Sequence, residues 1–154
     1  MRISYGKNVY GKEEIAAVNK TLKKSTQMGK SVKEFENKIA KNFSKKFGVM
    51  VNSGSSALTL AMKVLNIKKG DEIITPCLNF GTAVSSIVLA QATPIFVDVE
   101  VDTLQIDVNK IEEKITKKTK AILIPNLIGN IPDWKKIYGL SKKNNTLLKS
   151  HIIL

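Results

Sequence analysis

The chain has 154 residues, 43% hydrophobic and 25% charged, an ordinary composition for a globular domain with room for a sizeable core. Its apolar stretches are too short to span a bilayer, its N-terminal MRISYGKNVYGKEE lacks the apolar region of a signal peptide, and its single cysteine, Cys77, excludes an internal disulfide and suits a reducing cytoplasm. The net charge of +12 raises nucleic acid as a partner, but Arg2 is the only arginine; bidentate phosphate and base contacts favour arginine, so a solvated lysine surface is the simpler reading, and such a field also suits an acidic or phosphorylated small substrate.

In chain order, residues 11–24 place Ile15, Val18 and Leu22 on one helical face. A second helix over 31–46 would bury Val32, Phe35, Ile39 and Phe43, with Ser31 as N-cap and the Ser31–Glu34 spacing of a capping box. There follow a strand at 49–52, a helix at 55–66, a strand at 72–75, a helix at 81–91 and a strand at 94–98. A helix at 108–116, a strand at 121–125 and a helix at 133–143 complete the pattern. Short strands alternating with helices of about ten residues define an α/β protein, with a mostly parallel sheet and flanking helices. After Asn145 the rhythm stops, and TLLKSHIIL reads as a weakly structured tail.

The most informative stretch is GVMVNSGSSALTLA, residues 48–61. A small-residue turn, Asn52-Ser53-Gly54-Ser55-Ser56, opens straight into an apolar helical pattern. Free backbone N–H groups, the helix dipole and serine hydroxyls then make a phosphate seat at Gly54, Ser55 and Ser56. The same residues also read as a serine-capped turn with no ligand. Downstream, Phe80 sits four residues after Pro76 in a loop and reads by itself as a core side chain. Asp98 ends a strand, where open α/β sheets bind ligands. Thr82 reads as a helix cap, and Asp102 and Asp107 as turn and cap residues. Cys77 reads as a buried, inert thiol, since no histidine lies near enough in sequence to activate it. His151, the only histidine, lies in the tail and lacks the fixed partner a general base needs. No His/Cys cluster suggests a metal.

Five segments in this order resemble the DegT/DnrJ/EryC1/StrS sugar aminotransferase family: GKSVKEFE (29–36), GSSA (54–57), DEIITPCLNFGT (71–82), QATPIFVDVEVDT (91–103) and TKAILIPNLIGNIPDW (119–134). The resemblance covers roughly residues 9–145 and implies an incomplete aspartate-aminotransferase-like (fold type I) large domain. It implies pyridoxal phosphate as cofactor, its phosphate held at Gly54-Ser55-Ser56 and its ring stacked on Phe80, and it makes Asp98 mainly structural. Implied partners are a nucleotide-linked keto-sugar and a second copy in a homodimer, in the cytoplasm, with neither nucleic acid nor membrane involved. Asn126-Leu127-Ile128-Gly129 departs from the commoner His-Leu-Tyr-Gly and leans to the branch that removes the 3-hydroxyl of a 4-keto-6-deoxyhexose.

The resemblance also requires an acid for the pyridine nitrogen and a Schiff-base lysine, or a histidine in the dehydrase branch. No carboxylate follows Asp133 and no lysine sits in a matching motif, so no catalytic residue is assigned. The expectation is residues 1–145 as the N-terminal part of the large domain and 146–154 as an aberrant tail, as a frameshift or premature stop would give. The alternative is a non-catalytic remnant, or a small protein that binds phosphate or a partner.

Overall fold

The structure, a computed structural model, describes residues 7–24, 26–27 and 29–144. The tail 146–154, with His151, lies outside the described residues. The chain divides into two compact units, the first ending at Met50 and the second beginning at Val51.

The first unit contains helices α1 (Lys12–Lys24) and α2 (Lys30–Asn42). Glu14 reaches back from the first turn of α1 to accept the Gly11 N–H at 2.6 Å, the return half of a capping box. Acidic residues in its first turn and lysines in its last also match the helix dipole. The periodicity located both helices, but not their burial. No residue of α1 is buried, and in α2 only Ala40 is; Phe35, Ile39 and Phe43 remain exposed. An apolar stripe marks a face that needs a partner, and periodicity alone does not supply one. The Ser31 cap is also corrected: α2 begins at Lys30, its N-cap is Gly29 with no side-chain cap bond, and Ser31 lies inside the helix.

The predicted strand at 49–52 does not form. A strand needs a neighbour for its backbone groups, and here Met50 donates its N–H to Glu36 Oε1 at 2.9 Å instead. The chain passes α2 so closely that a Cβ on Gly48 would lie 2.5 Å from the Glu36 carbonyl oxygen. The Met50 hydrogen bond holds the Glu36 carboxyl below its ordinary range; burial opposes this and Lys33 adds to it. A lowered native pKa gives stability that is present above the ordinary value, about 4.3, and is lost as the pH falls through the lowered one. The Met50 amide resonance should therefore titrate with a midpoint below that of an ordinary glutamate, and Glu36→Gln should abolish the titration. A midpoint at the ordinary value would refute the link.

The second unit is a layered α/β sheet. Helix α3 (Gly54–Val64) is followed by β1 (Glu72–Pro76), α4 (Gly81–Leu89), β2 (Thr93–Val97), β3 (Thr119–Ile122) and α5 (Trp134–Lys143). The three strands are parallel in the order β2-β1-β3. Glu72 pairs with Thr93 and Pro76 with Val97; against β3 the register shifts once, between Glu72 and Ile73. As the central strand, β1 is apolar on both faces. Ile73 packs with Leu58 and Met62 of α3 and Ile87 of α4; Ile74 packs on the other side with Val97, Ile111 and Ile137 of α5. Both α3 and α4 end with a left-handed residue, Asn66 and Gln91, and a bond from the next N–H back to Met62 and Ile87, which turns the chain into the following strand.

The helix expected at 108–116 is instead two 3-10 turns, Val108–Lys110 and Glu112–Lys114. Val108 and Ile111 are both buried three residues apart, the repeat of a 3-10 turn. With β3 spanning Thr119–Ile122, the described residues contain three strands rather than the four or more anticipated.

Candidate functional site

Helix α3 precedes β1, packs on it and joins it by a short turn, so it runs back against the strand. Its N-terminus therefore lies at the carboxyl edge of the parallel strands, and α4 starts at that same edge directly after β1. The topology thus brings Gly54, Ser55, Ser56 and Phe80 to one edge of one sheet, where open α/β sheets bind ligands.

At the start of α3 the capping residue is Ser53. Its backbone is extended, and its Oγ accepts the Ser56 N–H at 3.1 Å and lies 3.1 Å from the Ser56 hydroxyl. The Ala57 N–H bonds to the Ser53 carbonyl at 3.0 Å. That leaves the N–H groups of Gly54 and Ser55, and the Ser55 hydroxyl, without an acceptor among the described residues. All three groups belong to exposed residues, and a Cβ on Gly54 would meet nothing within 4 Å. The turn is thus serine-capped, and it still offers two backbone donors and a hydroxyl at the positive end of a helix dipole. These donors fit a phosphate.

Phe80 is the N-cap residue of α4 and is 68% exposed, so the core-phenylalanine reading is excluded. Its N–H donates to Asn79 Oδ1 at 2.7 Å, and Asn79 Nδ2 in turn meets Thr75 Oγ1. An exposed aromatic side chain at the same sheet edge as the phosphate donors fits a flat, phosphorylated ring. Most of the remaining candidates engage neighbouring backbone or side-chain groups. Thr82 is inside α4, not its cap, because the helix begins at Gly81 with Phe80 as its N-cap residue. Asp107 caps the first 3-10 turn through the Asn109 N–H. Asp98 accepts the Val99 N–H at 2.8 Å and lies 3.8 Å from the Lys110 ammonium. Asn126 accepts from the Trp134 indole at 3.4 Å. Cys77 is exposed, which corrects its expected burial: it follows Pro76, where β1 leaves the core.

Sequence reasoning placed Ser53 in the turn without singling it out as the cap, and missed Thr75 and Asn79. The Ser53-x-x-Ser56 spacing and an asparagine two residues before a helical run were the available signals.

Among the described residues no group of three or more His, Cys, Asp or Glu could hold a metal, and no helix is long and apolar enough to cross a membrane.

Residues 8–149 match the model of the DegT/DnrJ/EryC1/StrS aminotransferase family, and the chain belongs to that family. It is 39% identical over 143 residues to GDP-perosamine synthase of Escherichia coli O157:H7, covering 92% of this chain and 39% of the relative. It is 37% identical over 137 residues to dTDP-3-amino-3,6-dideoxy-alpha-D-galactopyranose transaminase of Aneurinibacillus thermoaerophilus, covering 88% and 38%. A solved structure of E. coli GDP-4-keto-6-deoxy-D-mannose-3-dehydratase with bound hydrated PLP superposes with a TM-score of 0.84 at 33% identity, covering 91% of this chain and 38% of that one. The α/β layering described above is therefore that of the family's solved members, and the chain spans well under half the length of these relatives.

Proposed function

We propose that this chain carries the phosphate- and ring-binding part of a pyridoxal-phosphate-dependent enzyme acting on a nucleotide-linked keto-sugar. The observation that carries the reading is the pair of unclaimed N–H groups at Gly54 and Ser55, with Phe80 exposed at the same sheet edge. Gly54, Ser55 and Ser56 would hold the cofactor phosphate; Phe80 would cover one face of its ring. Bound there, pyridoxal phosphate supplies an electron sink for chemistry next to an amine. The chain's own residues bind and orient it, while proton transfer is assigned to none of them. Relatives of both kinds, transaminase and 3-dehydratase, support the substrate class. Asn126 in place of histidine favours the 3-dehydratase branch.

Titration with pyridoxine 5′-phosphate tests the seat. This alcohol cannot form an imine with the many surface lysines, so it reports the pocket alone. It should bind more tightly than either inorganic phosphate or phosphate-free pyridoxine. Equal affinity for pyridoxine with and without the phosphate would sink the proposal.

A cytoplasmic site of action is part of the same reading, supported by one exposed free thiol. So is self-association, supported by the uncovered Ile15, Val18, Leu22, Phe35 and Phe43. Light scattering should read dimers or larger species, and a sharp monomer would count against it.

A further inference from the structure

The peptide that presents Phe80 is tied to the sheet by a directed relay of hydrogen bonds. Thr75, fully buried in the central strand, donates its hydroxyl proton to the Leu123 carbonyl, just beyond β3, at 2.9 Å. A hydroxyl has one proton, so toward its other neighbour Thr75 must accept; Asn79 Nδ2 donates to it at 2.8 Å. That orients the Asn79 amide, because the reverse orientation would set two acceptors face to face at Thr75 and two donors face to face at Phe80. Asn79 Oδ1 is thereby turned to the Phe80 N–H, at 2.7 Å. The Phe80 carbonyl then accepts the Ala83 N–H at 2.9 Å and starts α4. Phe80 is itself mostly exposed, so core packing does not fix its ring. What fixes the origin of the side chain is this relay from two adjacent strands.

Resting on the seat proposed above, we propose that Asn79 and Thr75 are positioning residues for Phe80: their relay sets the place from which its ring meets a bound pyridine ring. Neither residue needs to touch the ligand. The relay is specific to the ring and has no part in the phosphate donors of α3. The two halves of the site should therefore respond separately to substitution.

The test uses the full chain with pyridoxine 5′-phosphate and inorganic phosphate as probes. Two quantities are read: affinity, and the upfield ring-current shift of the ligand's ring methyl protons, which reports stacking. Asn79→Ala should weaken pyridoxine 5′-phosphate by roughly two- to tenfold and erase the shift, leaving inorganic phosphate unchanged. Thr75→Val should do the same, and Thr75→Ser, which keeps the hydroxyl, should restore both values. If Thr75→Val does not fold, Asn79→Asp serves, since it keeps an acceptor for Phe80 but loses the donor to Thr75; it too should lose the shift. Parent-like shift and affinity in Asn79→Ala, with both lost in Phe80→Ala, would overturn the relay and leave the seat standing. Loss of inorganic phosphate binding in Asn79→Ala would overturn the ring-specific role. A parent-like Phe80→Ala would instead remove the seat reading on which the relay rests.

Discussion

Ile73→Ala and Ile74→Ala should each destabilise the second unit by about 2–5 kcal/mol, the range for truncating a fully buried isoleucine. The two side chains are neighbours on β1 and both are fully buried. They point to opposite faces, Ile73 toward α3 and α4 and Ile74 toward α5. A central parallel strand covered on both sides has no tolerant face, so neither substitution can relax into solvent. Loss of about that size from one three-stranded sheet is comparable with the whole stability of a small unit. Ile131→Ala, at an exposed position, is the control and should change stability by less than about 0.5 kcal/mol. Denaturant unfolding measures all three. A cost for Ile73→Ala or Ile74→Ala no larger than that of Ile131→Ala would contradict the two-sided core.

Ser55→Ala should weaken phosphate binding by about 1.5–3 kcal/mol, the worth of a hydrogen bond to a charged group, which is roughly ten- to a hundredfold or slightly more. Its hydroxyl has no partner within the described residues, so the protein loses nothing else and the melting temperature should hold. Ser53→Ala is predicted to do the opposite. Ser53 is the helix cap, and its loss should cost about 0.5–2 kcal/mol of stability, with a smaller effect on the ligand. Ser56→Ala should fall between them, because its hydroxyl is already engaged with Ser53. Phe80→Ala should weaken pyridoxine 5′-phosphate by about 0.5–1.5 kcal/mol and leave inorganic phosphate untouched. Isothermal titration of each variant, with a parallel melt, separates these effects. Equal ligand loss in the Ser53 and Ser55 variants would show that the binding effect is only helix fraying.

The parts of the fold that sequence revealed are those where local pattern and burial agree. In β1 and along the inner faces of α3 and α4 the apolar residues are both patterned and covered, and these elements were legible to within one or two residues. Two kinds of feature were not. Val49, Met50 and Val51 have the composition of a strand, but strand formation depends on a distant neighbour, and Glu36 took the Met50 N–H first. Residues 108–116 have helical spacing over less than three turns, short enough for 3-10 turns to win. For the site, Gly54, Ser55 and Ser56 were visible because a helix start writes itself locally in small polar residues. Thr75 was not, since its partner Leu123 is 48 positions away and nothing near Thr75 in the chain announces it.

In the proposed function, the N-terminus of α3 receives the phosphate of a ring-bearing ligand. Backbone amide resonances measure it most directly. On addition of pyridoxine 5′-phosphate, the Gly54 and Ser55 amide protons should move downfield, as donors to a charged oxygen do, and the movement should saturate together with the ligand's ring-current shift. Amides in α1 and α5 should not move. Saturable shifts elsewhere, with Gly54 and Ser55 unmoved, would place the phosphate away from α3.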